Sequence, residues 1–148
     1  DISPDGTEVV FTAHLRNRNE STSTRWRTYT YNAKKPHRPV LLTKDFKGRT
    51  ENPKFSPNGK LISFLATRKV GFESDNLQLI IYDRNAKTFR NTTGNFDRSI
   101  YYYKWYDDNT IFLTATDWGI DKIYIVDITK EDDIKNLTDD FFSYIQII

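Results

Sequence analysis

The sequence contains no cysteine, which excludes disulfide bonds, a thiol nucleophile and cysteine-based zinc sites. No apolar run approaches the roughly 18 residues that a membrane-spanning helix needs, so no membrane partner is expected. The chain also has no block of like charges. Its 22 Lys and Arg are interspersed with 20 Asp and Glu, and the net charge is only +2. A partner such as nucleic acid, bound by simple electrostatics, is therefore not expected.

The chain begins with Asp1-Ile2-Ser3, without a starting methionine or a signal-peptide pattern, so we expect targeting information to be absent or removed. Its 148 residues suit one small domain or part of a larger one. Aromatic residues are plentiful at 15%, which argues against disorder although the hydrophobic fraction is only 37%. This composition, with turn-forming Asn and Asp throughout, predicts a globular all-β protein.

A ten-residue segment recurs along the chain. Residues 55–64, which begin Phe-Ser-Pro-Asn-Gly, repeat residues 2–11, which begin Ile-Ser-Pro-Asp-Gly, at an offset of 53, and a third copy follows at 105–114. Threonine ends a second recurring element at three matching positions: Thr43, Thr93 and Thr138. Each of the first two threonines precedes the next copy by 12 residues, which indicates a tandem repeat.

Each repeat predicts four short strands, A to D. The pairs Asp5-Gly6 and Asn58-Gly59 predict hairpin turns of type I′ between strands A and B, because both central residues of that turn need φ > 0. Strand B is predicted over residues 9–13, 61–67 and 111–116, and strand C over 26–31, 77–82 and 122–126. No amphipathic helix longer than about ten residues is predicted.

Four-stranded repeats of this length are typical of β-propeller blades, whereas a β-sandwich does not repeat at a fixed period. The predicted fold is all-β: a β-propeller fragment with about three four-stranded antiparallel blades of a larger, seven- or eight-bladed ring. The blade units are expected at approximately 1–43, 44–93 and 94–138, with 139–148 starting the next blade.

The Ser-Pro-Asp/Asn-Gly turn and the Leu-Thr ending resemble the TolB-like, WD-like propeller repeat. Residues 69–84, which contain Gly-Phe-Glu-Ser-Asp and end in Tyr-Asp-Arg, and the Asn-Phe-Asp-Arg-Ser at 95–99 resemble the propeller of the prolyl oligopeptidase family. They are most similar to its dipeptidyl peptidase V and acylaminoacyl-peptidase branch. The resemblance covers most of the chain, and its specific part is residues 69–105.

This resemblance implies a parent serine peptidase, a hydrolase active in proteolysis, whose α/β-hydrolase domain with a Gly-x-Ser-x-Gly motif lies outside this chain. The chain itself would be the non-catalytic propeller that gates the active site and helps to bind peptide substrates. No cofactor is expected, a homo-oligomer stays open, and a secreted or periplasmic location is favoured over a cytoplasmic one.

Two other functions stay open. A TolB-like propeller can act without catalysis as a protein-interaction scaffold. A propeller enzyme such as a lyase or glycosidase would need inward-facing catalytic groups from several blades.

Five residues are candidates for substrate binding: Phe72, Glu73, Asp75, Asp97 and Arg98. In a blade, the B–C and D–A loops emerge on one face, so these residues are expected to share it. A carboxylate there can pair with the free α-ammonium of a peptide, and Arg98 can clamp a substrate carbonyl or the Asp97 side chain. The alternative is structural, with Glu73 and Asp75 capping turns and Asp97-Arg98 forming a local ion pair.

Three other motifs have structural interpretations. The aromatic run 101–106 suggests base stacking, but its place in a predicted strand among mixed charges favours core and channel-wall packing. Residues 107–109 lack the glycine and bidentate glutamate of an EF-hand and are predicted to form a turn, without a metal. The sequons at Asn91 and Asn136 share one repeat position and are predicted to be structural, whereas Asn19 can carry a glycan in a secreted eukaryotic parent.

Overall fold

The computed structural model describes residues 1–14, 26–35, 37–68 and 75–138. Over these residues the chain forms strands and no helix. The strands are β1 (Glu8–Ala13), β2 (Arg27–Asn32), β3 (Val40–Leu41), β4 (Thr50–Phe55), β5 (Leu61–Ala66), β6 (Gln78–Asp83), β7 (Thr88–Asn91), β8 (Ile100–Trp105), β9 (Thr110–Asp117), β10 (Ile120–Asp127) and β11 (Ile134–Asn136). Among the described residues, none forms a helix with the length and apolar character needed to cross a membrane.

The strands form three antiparallel sheets, each in simple chain order: β1-β2-β3, β4-β5-β6-β7 and β8-β9-β10-β11. The first sheet is extended by Asp1 and Ile2, since Ile2 bridges Val9 and the amide of Val10 donates to the carbonyl of Asp1 at 2.9 Å. The predicted all-β class, with four-stranded antiparallel units, is confirmed.

Apolar clusters join each sheet to the next. Val10 of the first sheet packs in one cluster with Phe55 and Ile62 of the second. A larger cluster joins the second and third sheets: Leu65, Leu77, Leu79 and Ile81 with Ile100, Tyr103, Ile111, Leu113, Ala115, Tyr124, Val126 and Ile128. Strand β5 is buried from its second residue to its last, as expected for a strand covered on both faces.

The repeated Ser-Pro-Asp/Asn-Gly motif closes the first two hairpins by the same hydrogen bonds. Ser3 Oγ accepts from the Glu8 amide at 2.8 Å and donates to Asp5 Oδ1 at 2.6 Å, and Asp5 Oδ1 also accepts from the Thr7 amide at 3.0 Å. Residues 56–61 repeat all three bonds in the second sheet. The motif therefore recurs because one local network closes both turns.

The type of these turns differs from the prediction. Gly6 and Gly59 have φ of 67° and 70°, but Asp5 and Asn58 do not have positive φ, so the turns are not of type I′. The amide of each glycine instead donates to the carbonyl of the serine three residues earlier, at 2.8 and 2.9 Å. The left-handed glycine ends a β-turn in a longer connection, which the dipeptide alone does not reveal.

The third turn is one residue shorter than the second, and this changes its alignment. In the second turn, Asn58 accepts the amide two residues on, and the repeat offset of 50 aligns Asn58 with Asp108. In the third turn the corresponding acceptor is Asp107, whose Oδ1 accepts the Asn109 amide at 2.8 Å. Asp108 Oδ1 accepts the Asn58 amide of the neighbouring sheet at 2.8 Å instead. Residues 107–109 therefore form a turn, as predicted, and also connect two sheets.

The recurring threonine has one role in all three sheets. Its Oγ1 accepts a hydrogen bond from a backbone amide of the third strand of its repeat: Thr28 to Thr43 at 3.0 Å, Leu79 to Thr93 at 2.9 Å and Ile123 to Thr138 at 3.0 Å. In the sequons, Asn91 and Asn136 each accept the amide of the threonine two residues on. Those two asparagines thus make the local backbone bonds expected of structural residues.

We call the end of the sheets that holds residues 3–7, 56–60, 84–87, 106–109 and 127–133 the turn end. The opposite end, which holds the described residues 42–49, 67–68, 75–77, 92–99 and 117–120, is the loop end. Antiparallel pairing places the connection between strands B and C, and the connection to the next sheet, at the same end.

Candidate functional site

The predicted site residues belong to two connections of the loop end. Asp75 lies between β5 and β6, and Asp97 and Arg98 lie between β7 and β8. Phe72 and Glu73 lie outside the described residues, so their predicted roles rest on the sequence.

Arg68, two residues after the end of β5, ties the two connections together. Its Nε donates to Gln78 Oε1 at 2.9 Å and its Nη2 donates to the Gly94 carbonyl at 2.6 Å. Its backbone amide donates to Asp75 Oδ2 at 2.7 Å, which joins the residues that follow β5 to those that precede β6. Asp75 thus makes the kind of contact that the capping interpretation predicts.

Gln78 supports this arrangement from beneath. It is only 2% exposed, and its Oε1 also accepts from Asn91 Nδ2 at 2.8 Å. Its Nε2 donates to the carbonyls of Thr93 and Gly94, both at 3.3 Å. Because each polar atom of the carboxamide has two partners, Gln78 holds Arg68 and the 93–94 backbone in one geometry.

A cavity of about 220 Å³ lies between the two connections. It is lined by Arg68, Asp75, Asn76, Gly94, Asn95, Phe96 and Asp97. The structure therefore brings Asp75 and Asp97 to one cavity. Asp97 is exposed, and no hydrogen bond from another described residue reaches its carboxylate, so it can accept a ligand's cationic donor.

Arg98 contacts the third sheet at the end of β9. Its Nη2 donates to Asp117 Oδ1 at 2.9 Å, and its guanidinium lies 5.7 Å from the centroid of the Phe96 ring. The hydrogen bond to Asp117 raises the pKa of Arg98, and the nearby Asp97 charge adds to the effect. The side chain thus ties the connection before β8 to the end of β9, where the structural alternative had a local ion pair with Asp97.

Asp117 is followed by a two-residue turn that sequence reasoning missed. Trp118 and Gly119 have φ of 52° and 80°, and Asp117 pairs with Ile120 across the hairpin. This is the connection that meets the φ requirement of a type I′ turn. Trp118 is 97% exposed, and a bulky residue at positive φ is uncommon.

A second, more apolar cavity of about 480 Å³ adjoins the first, with Arg68 in the wall of both. Phe46 and Phe89 line it, and their rings meet edge to face at 5.0 Å. Sequence reasoning did not predict this cavity, because Phe46 and Phe89 come from different repeats.

The loop end offers binding chemistry. Two acidic residues, Asp75 and Asp97, line the same cavity as Arg68, which suits ionic recognition of a small charged group. Among the described residues, no group of three or more His, Asp or Glu side chains could hold a metal ion.

Sequence comparison relates the chain to one kind of peptidase. It is 31% identical over 156 residues to dipeptidyl-peptidase 5 of Aspergillus fumigatus, a match that covers 94% of this chain and 21% of that protein. It is also 31% identical over 90 residues to dipeptidyl-peptidase 5 of Trichophyton equinum, covering 60% of this chain and 12% of that protein. The chain thus spans at most about a fifth of these relatives. No family model matches the chain.

Structural comparison identifies the architecture. The fold matches a TolB protein of Agrobacterium tumefaciens with a TM-score of 0.69 at 15% identity, covering 93% of this chain and 47% of that one. It matches the β-propeller domain of the trilobed protease of Pyrococcus furiosus with a TM-score of 0.66 at 16% identity, covering 91% and 40%. At these identities the matches show the fold alone.

The chain is a fragment of a β-propeller, which confirms the predicted fold class. The sequence matches support a propeller fragment of a dipeptidyl-peptidase family. The resemblance to the dipeptidyl peptidase V branch is thereby confirmed.

Proposed function

We propose that this propeller is part of a serine peptidase that removes dipeptides from the N-termini of peptides, and that the propeller limits access to the active site and helps to bind the substrate. The 31% identity to dipeptidyl-peptidase 5 over 94% of the chain carries the proposal. The nucleophile would lie in a hydrolase domain with a Gly-x-Ser-x-Gly motif.

The contribution of this chain would be recognition of the free N-terminus. A peptide α-ammonium needs anionic or carbonyl acceptors once it leaves water. Asp97 presents an exposed carboxylate at the 220 Å³ cavity, and Asp75 lines the same cavity. Arg68 and Gln78 hold the surrounding backbone in place, so that the carboxylates are positioned before the substrate binds.

Activity of the full-length protein tests the proposal. Dipeptidyl p-nitroanilides should release p-nitroaniline, and a serine-directed fluorophosphonate should abolish the release. Replacing the serine of the Gly-x-Ser-x-Gly motif with alanine should do the same. A full-length protein without that motif and without this activity would contradict the proposal and favour a non-enzymatic, TolB-like scaffold.

Glu73 provides the test of substrate binding within the family-specific loop. Glu73→Gln should lower kcat/KM for substrates with a free N-terminus by about 10- to 150-fold, the loss of one charge-assisted hydrogen bond. Substrates with a blocked N-terminus should be affected far less. Equal loss on both classes, or a large fall in Tm, would make Glu73 a structural loop residue.

A further inference from the structure

We propose that Trp118 binds an apolar or aromatic side chain of the peptide substrate, next to the site that receives its N-terminus. This inference rests on the proposed peptidase function and adds a specificity-determining residue to it.

The first argument is the conformation of Trp118. It has φ of 52°, in the left-handed region where Asn, Asp and Gly are favoured and where a bulky side chain is strained. The side chain gains nothing from the fold in return, because it is 97% exposed. A strained residue that makes no compensating contact within the described structure points to a role outside the folding of the chain.

The second argument is the rigidity of the hairpin that carries it. Asp117 and Ile120 pair directly across the turn, and Thr116 Oγ1 donates to Asp121 Oδ1 in the next pair at 2.5 Å. The Asp117 carboxylate is held by Arg98. An indole fixed at its base can bind without the entropic cost of ordering a mobile loop, and tryptophan is the residue type most enriched at binding hot spots.

The third argument is position. Arg98 directly follows Asp97, which lines the 220 Å³ cavity, and the Arg98 side chain contacts Asp117, which directly precedes Trp118. The ion pair between Arg98 and Asp117 therefore brings Trp118 close to Asp97, the carboxylate proposed to bind the α-ammonium. An extended peptide advances about 3.3 to 3.6 Å per residue, so a few residues reach from one group to the other.

The chemistry of the ligand follows from these neighbours. The charges of Arg98 and Asp117 are paired with each other, which leaves the indole as the main uncommitted group of this hairpin. An indole face offers a large apolar surface to aliphatic side chains and stacking to aromatic ones. A peptide side chain of either kind fits this position.

The test uses Trp118→Asn in the full-length enzyme, with Ala-Ala, Phe-Ala and Ala-Phe p-nitroanilides as substrates. Asparagine suits the left-handed turn position, so the variant should have a Tm at least equal to that of the wild type. We expect kcat/KM for at least one phenylalanine-containing substrate to fall by about 10- to 30-fold, the usual effect of losing a hot-spot side chain, with little change for Ala-Ala. Trp118→Phe should restore most of the lost activity.

Tyr106 offers a matched control, since it is 71% exposed but lies at the turn end. Tyr106→Asn should leave all three substrates unaffected. If Trp118→Asn changes kcat/KM equally for all three substrates, or if the Tm of the variant falls, the proposal for Trp118 is wrong while the peptidase function stands. If the wild-type enzyme releases no dipeptide, the proposed function itself has failed.

Discussion

The two ends of the sheets are built in different ways. At the turn end, residues close in sequence bond to each other, as Asp5 does with Ser3 and Thr7. At the loop end, Arg68 bonds to Gly94 and Arg98 bonds to Asp117, partners that are far apart in sequence. The local network of the turn end therefore repeats in the first two sheets. The loop end holds the cavities of about 220 and 480 Å³.

Both ends also hold an arginine that pairs with a carboxylate of another segment: Arg84 joins the first two sheets, and Arg98 joins the connection before β8 to β9. Arg84 at the turn end forms an ion pair with Glu8, donates to the Gly59 carbonyl at 2.6 Å and lies over the Phe55 ring. Arg98 at the loop end pairs with Asp117 and lies near the Phe96 ring, the contacts it makes among the described residues. The arginine of the turn end is thus the more fully bonded of the two, which fits an end that serves stability.

The largest effect is expected from Gly48→Ala at the loop end. A Cβ on Gly48 would lie 2.0 Å from the Thr67 carbonyl oxygen, so the backbone between the first and second sheets would have to move. We expect a loss of about 3 kcal/mol in the free energy of unfolding, at the upper end for overpacking. Urea denaturation followed by tryptophan fluorescence measures it, and a loss below that of Gly6→Ala would contradict this close approach.

The next effect concerns the two arginines. Arg84→Ala should cost about 2 kcal/mol, because it breaks a charged bond and leaves the Gly59 carbonyl and Glu8 without this partner. Arg98→Ala should cost about 1 kcal/mol, as expected for one partly exposed pair. The denaturant midpoints of the two variants measure both losses. A larger loss for Arg98→Ala than for Arg84→Ala would show that the loop end carries more of the stability.

A smaller effect is expected from Gly6→Ala at the turn end. A Cβ there meets nothing within 4 Å, so only the left-handed backbone, with φ of 67°, is strained. The cost should be about 1 kcal/mol. Gly6→Asn is the control, since asparagine tolerates this conformation better and should recover part of the loss.

The smallest effect is a pH dependence of the turn end. The Ser3 hydroxyl and the Thr7 groups lower the pKa of Asp5 to about 2, and the Thr129 hydroxyl and Lys130 lower that of Asp127 to about 2. Both carboxylates therefore stabilise the fold above their unfolded pKa of about 3.9, and this contribution is lost as the pH falls through about 2. Asp5→Asn should be less stable than the wild type at pH 5, and the difference should vanish near pH 2. If the stability difference between Asp5→Asn and the wild type is the same at pH 5 and pH 2, the lowered pKa of Asp5 does not contribute to stability as described.

The turn end was largely predictable from the sequence because its chemistry is local. The Ser-Pro-Asp/Asn-Gly motif makes its bonds within one repeat, so its spacing indicated the strands. The recurring threonine of the loop end also bonds within its own repeat, since Thr93 accepts the Leu79 amide, and it was predictable for the same reason. Strand C of the second sheet, predicted at 77–82, lies at Gln78–Asp83. The turn type was wrong because the left-handed glycine is part of a longer connection than the dipeptide suggests.

The loop end was predictable only in part. Antiparallel order was enough to place Asp75 and Asp97 together, and they line one cavity. The partners Arg68, Gln78 and Asp117 were not predicted, because their contacts depend on how different connections and sheets pack. Trp118 was missed because tryptophan is not a turn-forming residue. Its signal was a glycine directly after it, between two apolar runs of alternating residues.

The central claim is that the loop end recognises the N-terminus of a peptide while the turn end serves the fold. Its most direct test compares Asp97→Asn with Asp108→Asn, a carboxylate of the turn end that bonds to the Asn58 amide. For each full-length variant, kcat/KM is measured on a peptide substrate with a free N-terminus and on its N-acetylated form. Asp97→Asn should lower the ratio of the two values by about tenfold, the loss of one exposed charged contact, and Asp108→Asn should leave it unchanged. An unchanged ratio in Asp97→Asn, or an equal change in both variants, would contradict the claim.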